Sequence, residues 1–365
     1  MKLIWRYAVA TATVLISYTI WKLSMYLRVL TLDENHIKYD KQLIGLNFST
    51  VLADWSNLDC REKEILLGKQ MCRPECKPGY FSLDGFRECH PWLMCEEIRE
   101  EVKQTGELVG SGAVKQVYLA EWKGYQIAYC NLTTASYKDD FHHGLEMIKS
   151  FQHSEFVVQL VGYCHSDDVM LLEYHPLKSF DNMNSILSQE TFSHFNTVLL
   201  RFQLCIRYVE ILNFLHTGPL GTYVMCDSND LFKTLSQYLV TDDMSLVVAD
   251  LDALPNVDHK SGITAKCGHR ELIGRFVAPE QLWPYDDTDF NDDNMPGYDE
   301  KTDIWKIPDV VDFILGDIPG SDAVRFHLFK IHRKCKEVVA KLRPSTLDII
   351  KEYKLTYSYF RNTRS

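Results

Sequence analysis

Apolar and polar residues alternate along Gly106–Trp122 and Gln126–Leu132, a period that predicts β-strands with one buried face. Two further apolar strands are predicted over Phe156–Cys164 and Val169–Tyr174. The stretch Lys138–Phe151, which precedes these two strands, has the spacing of a helix. This part of the chain is therefore expected to form a small lobe built mainly from strands.

The spacing of apolar residues becomes helical after these strands. Helices are predicted over Thr197–Leu215, Lys301–Leu315 and Ser321–Lys336. A β-rich lobe followed by a larger helical lobe indicates an α+β fold and not an alternating βαβ sheet. The sequence contains no internal repeat and no low-complexity tract.

An uncharged run from Tyr7 to Trp21 lies between Arg6 and Lys22. It is shorter than the ~20 residues that span a bilayer, but the flanking basic side chains can reach outward and lengthen the usable segment. A cleaved signal peptide is the alternative. Because no small-residue cleavage site follows Trp21, an uncleaved signal-anchor is favoured, with a transmembrane helix over residues 7–26.

Cysteines are concentrated ahead of the predicted strands, at Cys72, Cys76, Cys89 and Cys95. Such a density is typical of oxidising compartments, and the spacing lacks the close C-x₂-C pairs of a zinc site, so we expect disulfides. Cys60 is a further candidate partner. Because the chain has 11 cysteines, an odd number, at least one of them has no partner within the chain.

Two acceptor triplets for N-glycosylation agree with a luminal location: Asn47 in Asn-Phe-Ser and Asn131 in Asn-Leu-Thr. The net charge is −11 and no stripe rich in Lys and Arg is present, so a protein that binds the nucleic-acid backbone is excluded. We therefore expect no nucleic-acid partner and place the bulk of the chain in the lumen.

Three short motifs occur in the order of a protein-kinase catalytic core: Met225-Cys226-Asp227, Asp250-Leu251-Asp252 and Ala278-Pro279-Glu280. Phosphoryl transfer needs a base for the proton of the substrate hydroxyl and a carboxylate that holds Mg²⁺ against the phosphates. We predict Asp227 as the base and Asp250 as the metal ligand. Cys226 replaces the usual arginine, so no basic residue is present there to bind an activation-loop phosphate, and activity should not require phosphorylation.

Gly110, Ser111 and Gly112 begin a segment that matches the phosphate-covering loop G-x-G-x-x-G-x-V, with Lys115 at the third glycine position. Cys130 occupies the position of the strand lysine in V-A-I-K. Because the phosphates need a nearby cation, we predict that Lys115 binds them from the neighbouring strand. This arrangement resembles the with-no-lysine kinases; a surface lysine on a strand is the alternative.

Other contacts to the nucleotide are assigned by position. Glu173 and His175 fall in the hinge, whose backbone would hold adenine. Gly144 takes the position of the helix glutamate that usually pairs with the phosphate-binding lysine. Asp140, one turn earlier on the same helix, or Glu146 is therefore the predicted counter-ion of the lysine.

A second metal ligand is also expected after the base. Gln237 lies thirteen residues before Asp250, the separation that a kinase asparagine usually has, so we predict that its amide oxygen binds the second metal. Asp252 is either a further metal ligand or a turn residue. Lys233 is the candidate for the contact to the γ-phosphate.

Three residues match structural positions of the large lobe. Glu280 and Arg343 correspond to the ion pair that locks this lobe in kinases, and Asp303 corresponds to the aspartate of its central helix. These assignments divide the chain as follows: cytosolic stub 1–6, anchor 7–26, luminal stem 27–70, cysteine-rich extension 71–100, and bilobal protein-kinase-like domain 101–355.

Longer strings resemble the protein O-mannose kinases, an atypical secretory-pathway group of the protein-kinase-like superfamily. They are Met225–Leu231, Asp250–Pro255, Lys266–Leu272, Val277–Tyr285 and Asp299–Pro308. The resemblance runs from about Cys76 to Lys351. It implies a single-pass type II protein of the endoplasmic reticulum membrane with a luminal catalytic domain.

The resemblance also implies a reaction. The γ-phosphate of ATP, with Mg²⁺ or Mn²⁺, would be transferred to the 6-hydroxyl of O-linked mannose within a GalNAc–GlcNAc–mannose trisaccharide on α-dystroglycan, in the pathway of the laminin-binding glycan. Two alternatives stay open: a catalytically inactive pseudokinase scaffold, and a secretory-pathway kinase of protein serine or threonine.

Overall fold

The computed structural model describes residues 76–152, 154–226, 228–268 and 270–363. Several predictions concern residues outside these ranges: the transmembrane anchor, the stem, Cys60, Cys72, Asn47 and Asp227. Within the described ranges, no helix has both the length and the apolar character that a membrane span requires.

Strands dominate the first part of the described residues, and helices dominate the rest. The strands are β1 (Tyr80–Phe81), β2 (His90–Pro91), β3 (Val102–Ser111), β4 (Lys115–Trp122), β5 (Tyr125–Leu132), β6 (Leu160–Cys164), β7 (Val169–Glu173), β8 (Thr222–Tyr223), β9 (Tyr238–Val240), β10 (Leu246–Val248) and β11 (Asn256–Val257). The α-helices are α1 (Cys95–Glu101), α2 (Lys138–Ser150), α3 (Met183–Ser188), α4 (Val198–Thr217), α5 (Leu231–Ser236), α6 (Lys301–Leu315), α7 (Ser321–Cys335) and α8 (Thr346–Thr363).

A five-stranded antiparallel sheet in the order β3-β4-β5-β7-β6 forms the first lobe. The predicted strand Gly106–Trp122 is in fact two strands, because the chain reverses between Ser111 and Lys115. Lys123 and Gly124 then join β4 to β5 with φ values of 49° and 86°, the left-handed conformation of a type I′ hairpin turn. The prediction of a small β-rich lobe is confirmed.

Helices make up most of the second half, as predicted. Helix α4 is apolar around most of its circumference and buries residues on all sides, as expected for a helix at the centre of a core. Helices α6 and α8 both pack against it. The long helix α8 was not among the sequence predictions. The architecture, a β-sheet lobe followed by a helical part, is consistent with a kinase-like fold.

Disulfides attach the cysteine-rich segment to the sheet. Cys76 pairs with Cys89 inside the segment, and Cys95 pairs with Cys164 at the end of β6. The backbone of Leu93 runs beside β6 so closely that a Cβ on Gly162 would lie 2.4 Å from the Leu93 carbonyl oxygen. The prediction of disulfides is confirmed for Cys76, Cys89 and Cys95, and the structure supplies the pairing that the sequence does not determine.

A partly buried histidine connects the last two helices, since His332 of α7 is hydrogen-bonded to the Tyr353 hydroxyl of α8 at 2.6 Å. Burial lowers the pKa of His332 from 6.5 to about 4. Between these values the unfolded chain binds the proton and the folded chain does not, so stability should fall by about 3 kcal/mol as the pH drops from 6.5 to 4. We expect His332→Gln to flatten this part of the profile of unfolding free energy against pH.

Denaturant unfolding at several pH values measures this effect. The exposed His194, replaced by glutamine, serves as the control and should leave the profile as it is in the wild type. Parallel profiles for His332→Gln and the wild type would contradict the assignment.

Candidate active site

Lys115 lies at the start of β4, directly after the tip of the glycine loop. The backbone N–H of Gly112 donates to the Lys115 carbonyl at 2.9 Å, so the loop turns straight back into the strand. The buried Lys115 ammonium then donates to Asp250 Oδ1 at 2.7 Å and to Asp252 Oδ2 at 2.8 Å. The structure thus joins the predicted phosphate-binding lysine to the predicted metal carboxylate.

The charges of this cluster stabilise one another. Burial lowers the pKa of Lys115, but Asp250 and Asp252 outweigh that effect and hold it above its ordinary value, so the amine is charged. Burial also opposes ionisation of Asp250, yet the lysine charge and hydrogen bond keep its pKa below the usual range. For Asp252, burial dominates and raises the pKa to about 7, with a smaller contribution from Asp250.

Cys130, at the usual lysine position, is fully buried on β5 opposite Val117. Burial raises the pKa of this thiol to about 12. The side chain is therefore a neutral part of the core and cannot replace the missing cation. Of Cys130 and Lys115, only Lys115 carries a positive charge.

The structure corrects the predicted counter-ion. Asp140 is exposed on α2, and Glu146 pairs with Lys149 at 2.8 Å, so neither contacts the Lys115 ammonium. Asp252 is the counter-ion of Lys115 instead. Its carboxylate lies against helix α2 at Gly144. A Cβ on Gly144 would lie 2.0 Å from Asp252 Oδ1 and 3.2 Å from Asp252 Cα. The absent side chain at Gly144 therefore makes the room that the carboxylate occupies.

We expect Gly144→Ala to destabilise the protein by about 1–3 kcal/mol, because the methyl group would overpack against Asp252. In an ordinary helix interior the same change stabilises by up to about 1 kcal/mol, so the sign is diagnostic. Phosphate transfer should fall as well, since Asp252 would be pushed away from Lys115. Denaturant unfolding and transfer rates, compared with the exposed Ser150→Ala on the same helix, measure both effects.

Gln237, the predicted second metal ligand, lies just after helix α5. Its side chain is buried, and its Oε1 atom has no hydrogen-bond partner among the described residues. Its Nε2 donates to the Lys233 carbonyl at 2.9 Å, and its own backbone carbonyl accepts from the Asp250 N–H at 3.3 Å. A buried amide oxygen without a donor has the chemistry of a Mg²⁺ ligand, and the backbone of Gln237 is hydrogen-bonded to the residue that carries the predicted metal carboxylate, so these residues fit the metal.

Lys233 lies one helical turn before Gln237. Burial raises the pKa of Asp250, whereas Lys115 and, to a smaller extent, Lys233 lower it. Helix α5 carries Lys233, and Gln237 follows directly at its C-terminal end.

The predicted hinge follows the end of β7, where Glu173 pairs across the sheet with Ile127. His175 is buried, and its Nε2 has no hydrogen-bond partner among the described residues; it lies 3.9 Å from Glu173 Oε2. Asn131 lies within β5 between two paired strands, with its Oδ1 atom buried. This is not the surface loop in which a glycosylation acceptor is expected.

The segments around the proposed base are held by the predicted structural residues. The buried Asp303 accepts hydrogen bonds from the Met225 N–H and from His216 Nε2, both at 3.1 Å. Glu280 and Arg343 form the predicted ion pair, with two contacts of 2.5 and 2.8 Å. The backbone that enters residue 227 is therefore fixed to helix α6.

No family model matches the chain. It is 53% identical to the protein O-mannose kinase of Homo sapiens over 288 residues, which cover 79% of this chain and 82% of the human protein. The protein O-mannose kinase of Macaca fascicularis has the same identity and coverage. That of Xenopus laevis is 51% identical over 280 residues, which cover 76% of this chain and 79% of the relative. The chain belongs to the protein O-mannose kinase family.

Sequence reasoning missed two features of this O-mannose kinase family member. The first is the Asp252–Lys115 pair with its glycine neighbour, since Asp252 had been left open as a ligand or turn residue. The second is a disulfide between Cys226 and Cys267. Its signal was present in the sequence, because both cysteines fall in motif strings of a chain expected to lie in an oxidising lumen.

Proposed function

We propose that this chain transfers the γ-phosphate of ATP to the 6-hydroxyl of O-linked mannose within a GalNAc–GlcNAc–mannose trisaccharide, with α-dystroglycan as the glycoprotein acceptor. The relatives are named protein O-mannose kinases, which supports a mannose acceptor. The observation that carries the proposal is the buried contact of Lys115 with Asp250 and Asp252. An inactive scaffold would have no need to keep a buried charged cluster of this kind.

Each residue has a role that follows from its chemistry. Lys115 supplies a fixed positive charge at the phosphates, and Gly110 with Gly112 allows the backbone of the loop to approach them. Asp227 accepts the proton of the sugar hydroxyl as the new bond to phosphorus forms. Lys233 offers a second cation for the transferred phosphoryl group. The hinge at Glu173 and His175 holds the adenine.

Asp250 and Gln237 would hold a divalent metal, Mg²⁺ or Mn²⁺. When bound, this ion would neutralise negative charge on the phosphate oxygens. The unpartnered Oε1 of Gln237 supports this role, because a buried acceptor without a donor is otherwise destabilising. Asp252 keeps Lys115 in place beside the metal carboxylate.

We also propose the location implied by the sequence: a type II protein of the endoplasmic reticulum membrane, anchored by residues 7–26, with the catalytic domain in the lumen. The disulfides Cys76–Cys89, Cys95–Cys164 and Cys226–Cys267 support an oxidising compartment. A pseudokinase scaffold is less favoured, since the cation and the metal carboxylate are both present and in contact.

The deciding experiment measures phosphate transfer from radiolabelled ATP with Mg²⁺ or Mn²⁺. The acceptors are the synthetic GalNAc–GlcNAc–mannose trisaccharide, free mannose and a mixture of serine/threonine peptides, each with and without EDTA. We expect transfer to the trisaccharide, dependent on the metal, and little transfer to the others. Transfer to the peptides alone would point to a protein kinase, and no transfer to any acceptor would point to a scaffold.

A further inference from the structure

Two histidines outside the nucleotide cluster are in direct contact with each other. His142 lies on helix α2, and His165 begins the turn His165–Asp167 between β6 and β7. Their Nδ1 atoms are 3.0 Å apart, and their rings are stacked at 12° with centroids 5.0 Å apart. The contact therefore joins helix α2 to the sheet at a partly exposed position.

Asp168, directly after this turn, binds the same helix. Its carboxylate accepts from the Lys138 ammonium at 3.0 Å and is hydrogen-bonded to His142 Nε2 at 2.8 Å. Lys138 and His142 are one helical turn apart, so one carboxylate binds both. Burial opposes ionisation of Asp168, but these two hydrogen bonds hold its pKa below the ordinary value, so the group is charged.

Asp168 is also linked to the strands that carry the phosphate-binding lysine. Its backbone carbonyl accepts from the Leu132 N–H at 3.3 Å, and Leu132 pairs with Lys115 across β4 and β5. Helix α2, to which the Asp168 carboxylate binds, carries Gly144 beside the Asp252 carboxylate. A shift of α2 away from the turn would therefore move Gly144 relative to the Lys115–Asp252 pair.

The hydrogen bonds assign one proton to each histidine ring. An ionised carboxylate can only accept, so His142 donates to Asp168 from Nε2, and its Nδ1 is left as an acceptor. His165 must then donate from its own Nδ1 to His142. In this state both rings are neutral, and the contact between them is satisfied.

Charged groups on each neighbouring element decide where a further proton can bind. The ionisable groups around the pair, on α1, α2, β6 and the turn, are Arg99, Lys138, Glu146, Lys149, Tyr163, Asp167 and Asp168. Glu146 Oε1 lies 3.7 Å from His165 Nε2. A first additional proton can therefore bind at His165 Nε2, where it faces a carboxylate and leaves the Nδ1 contact intact.

A second additional proton has no place in this arrangement. It would have to bind His142 Nδ1, so that two N–H groups on two positively charged rings would face each other across 3.0 Å. The contact between the rings must then open, and helix α2 is no longer held to the turn through His165. Ordinary histidines gain their proton near about pH 6.5, so this opening belongs to mildly acidic conditions.

We propose that the contact of His142 with His165 is a pH-sensitive clasp that positions helix α2, closed at neutral pH and open in acid. The closed clasp keeps Gly144 beside Asp252, and thereby Asp252 on Lys115. Its effect on phosphate transfer rests on the proposed function, whereas the opening of the contact does not. Neither histidine is assigned a contact with the nucleotide or the sugar.

The test is the profile of kcat against pH for the full-length wild type and His165→Asn, from about pH 7.5 to about pH 5. An asparagine amide can donate N–H to neutral His142 or offer its carbonyl to the charged ring, so it suits both states. We expect equal kcat at about pH 7.5 and a variant-to-wild-type ratio of about 5 to 10 at about pH 5, the lower end of the usual coupling between two sites. Titrations common to both proteins, such as those of Asp252 and His143, cancel in this ratio.

Two further variants separate the clasp from a general effect of replacing a histidine. His165→Ala offers His142 no partner, so its kcat should already be about 5- to 10-fold low at about pH 7.5 and approach the wild type in acid. The exposed His194→Asn should follow the wild type at every pH. The proposal is overturned if the ratio for His165→Asn does not rise as the pH falls, if His194→Asn shows the same rise, or if His165→Ala keeps full kcat at about pH 7.5.

Hydrogen–deuterium exchange gives a measurement that does not depend on phosphate transfer. The amides of residues 138–150, corrected for the effect of pH on intrinsic exchange, should exchange faster at about pH 5 than at about pH 7.5 in the wild type but not in His165→Asn. If the wild type shows this change and transfers no phosphate at any pH, the proposed function is wrong and the clasp stands. If transfer occurs and neither the kcat ratio nor the exchange changes with pH, only the clasp is wrong.

Discussion

Replacing Asp227 with alanine should lower kcat for transfer to the trisaccharide by about 10²- to 10⁴-fold, the contribution of a positioned general base. The reason is chemical, since the proposed base would no longer be present to accept the proton of the sugar hydroxyl. The measurement is single-turnover transfer from radiolabelled ATP. Nucleotide affinity, followed by the thermal shift with ATP and Mg²⁺, should change little.

Two further variants sharpen this result. Asp227→Asn keeps the size of the side chain but cannot accept a proton, so it should be nearly as inactive as the alanine variant. Asp286 is exposed, and its replacement by alanine should leave the rate at the wild-type value. Wild-type kcat in the asparagine variant would assign the base to another residue.

Replacing Lys115 with methionine should lower transfer by about 10²- to 10³-fold, because the site loses a fixed positive charge aimed at the phosphates. Methionine has a similar length and fills the same space. The change also leaves Asp250 and Asp252 buried without their cation. We therefore expect a loss of stability of about 3 kcal/mol, measured by denaturant unfolding.

A double variant separates the catalytic loss from the loss of stability. Adding Asp252→Asn removes one of the two buried carboxylates that lost their partner, so Lys115→Met/Asp252→Asn should recover most of the stability. Transfer should stay low, since the cation is still absent. Asp140→Ala and Glu146→Ala are matched controls that remove the helix carboxylates and should transfer normally. Recovery of transfer together with stability would show that Lys115 is structural only.

The order of strands and helices could be predicted from the sequence, because each element has its own period of apolar and polar residues along the chain. Helix α6 was predicted over Lys301–Leu315 and is observed with the same bounds. Lys115 is a candidate from the sequence alone, since a strand next to the usual one can carry a long side chain to the same point. Periodicity did not show the break between β3 and β4, because the whole stretch alternates like a single strand; the loop motif at Gly110 and Gly112 marks it.

The carboxylate that pairs with Lys115 could not be predicted from the sequence, for a related reason. In kinases the counter-ion lies on the helix, and because Gly144 has no carboxylate, the sequence predicts Asp140 or Glu146 in its place. The glycine is instead the condition for the true contact, because its missing side chain admits Asp252. This contact requires that one residue has no Cβ and that a carboxylate far along the chain lies next to it. The periodicity of the sequence does not report such a contact.

Residue types and their order along this chain determined the lobes, the cation at Lys115, the carboxylate at Asp250 and the amide at Gln237. The tertiary structure alone decided the pairings: Lys115 with Asp252 across 137 positions, Cys95 with Cys164 across 69, and Cys226 with Cys267 across 41. Periodicity and motif spacing report on neighbours along the chain. A salt bridge or a disulfide depends on the distance between side chains in space, which exists only once the chain has folded.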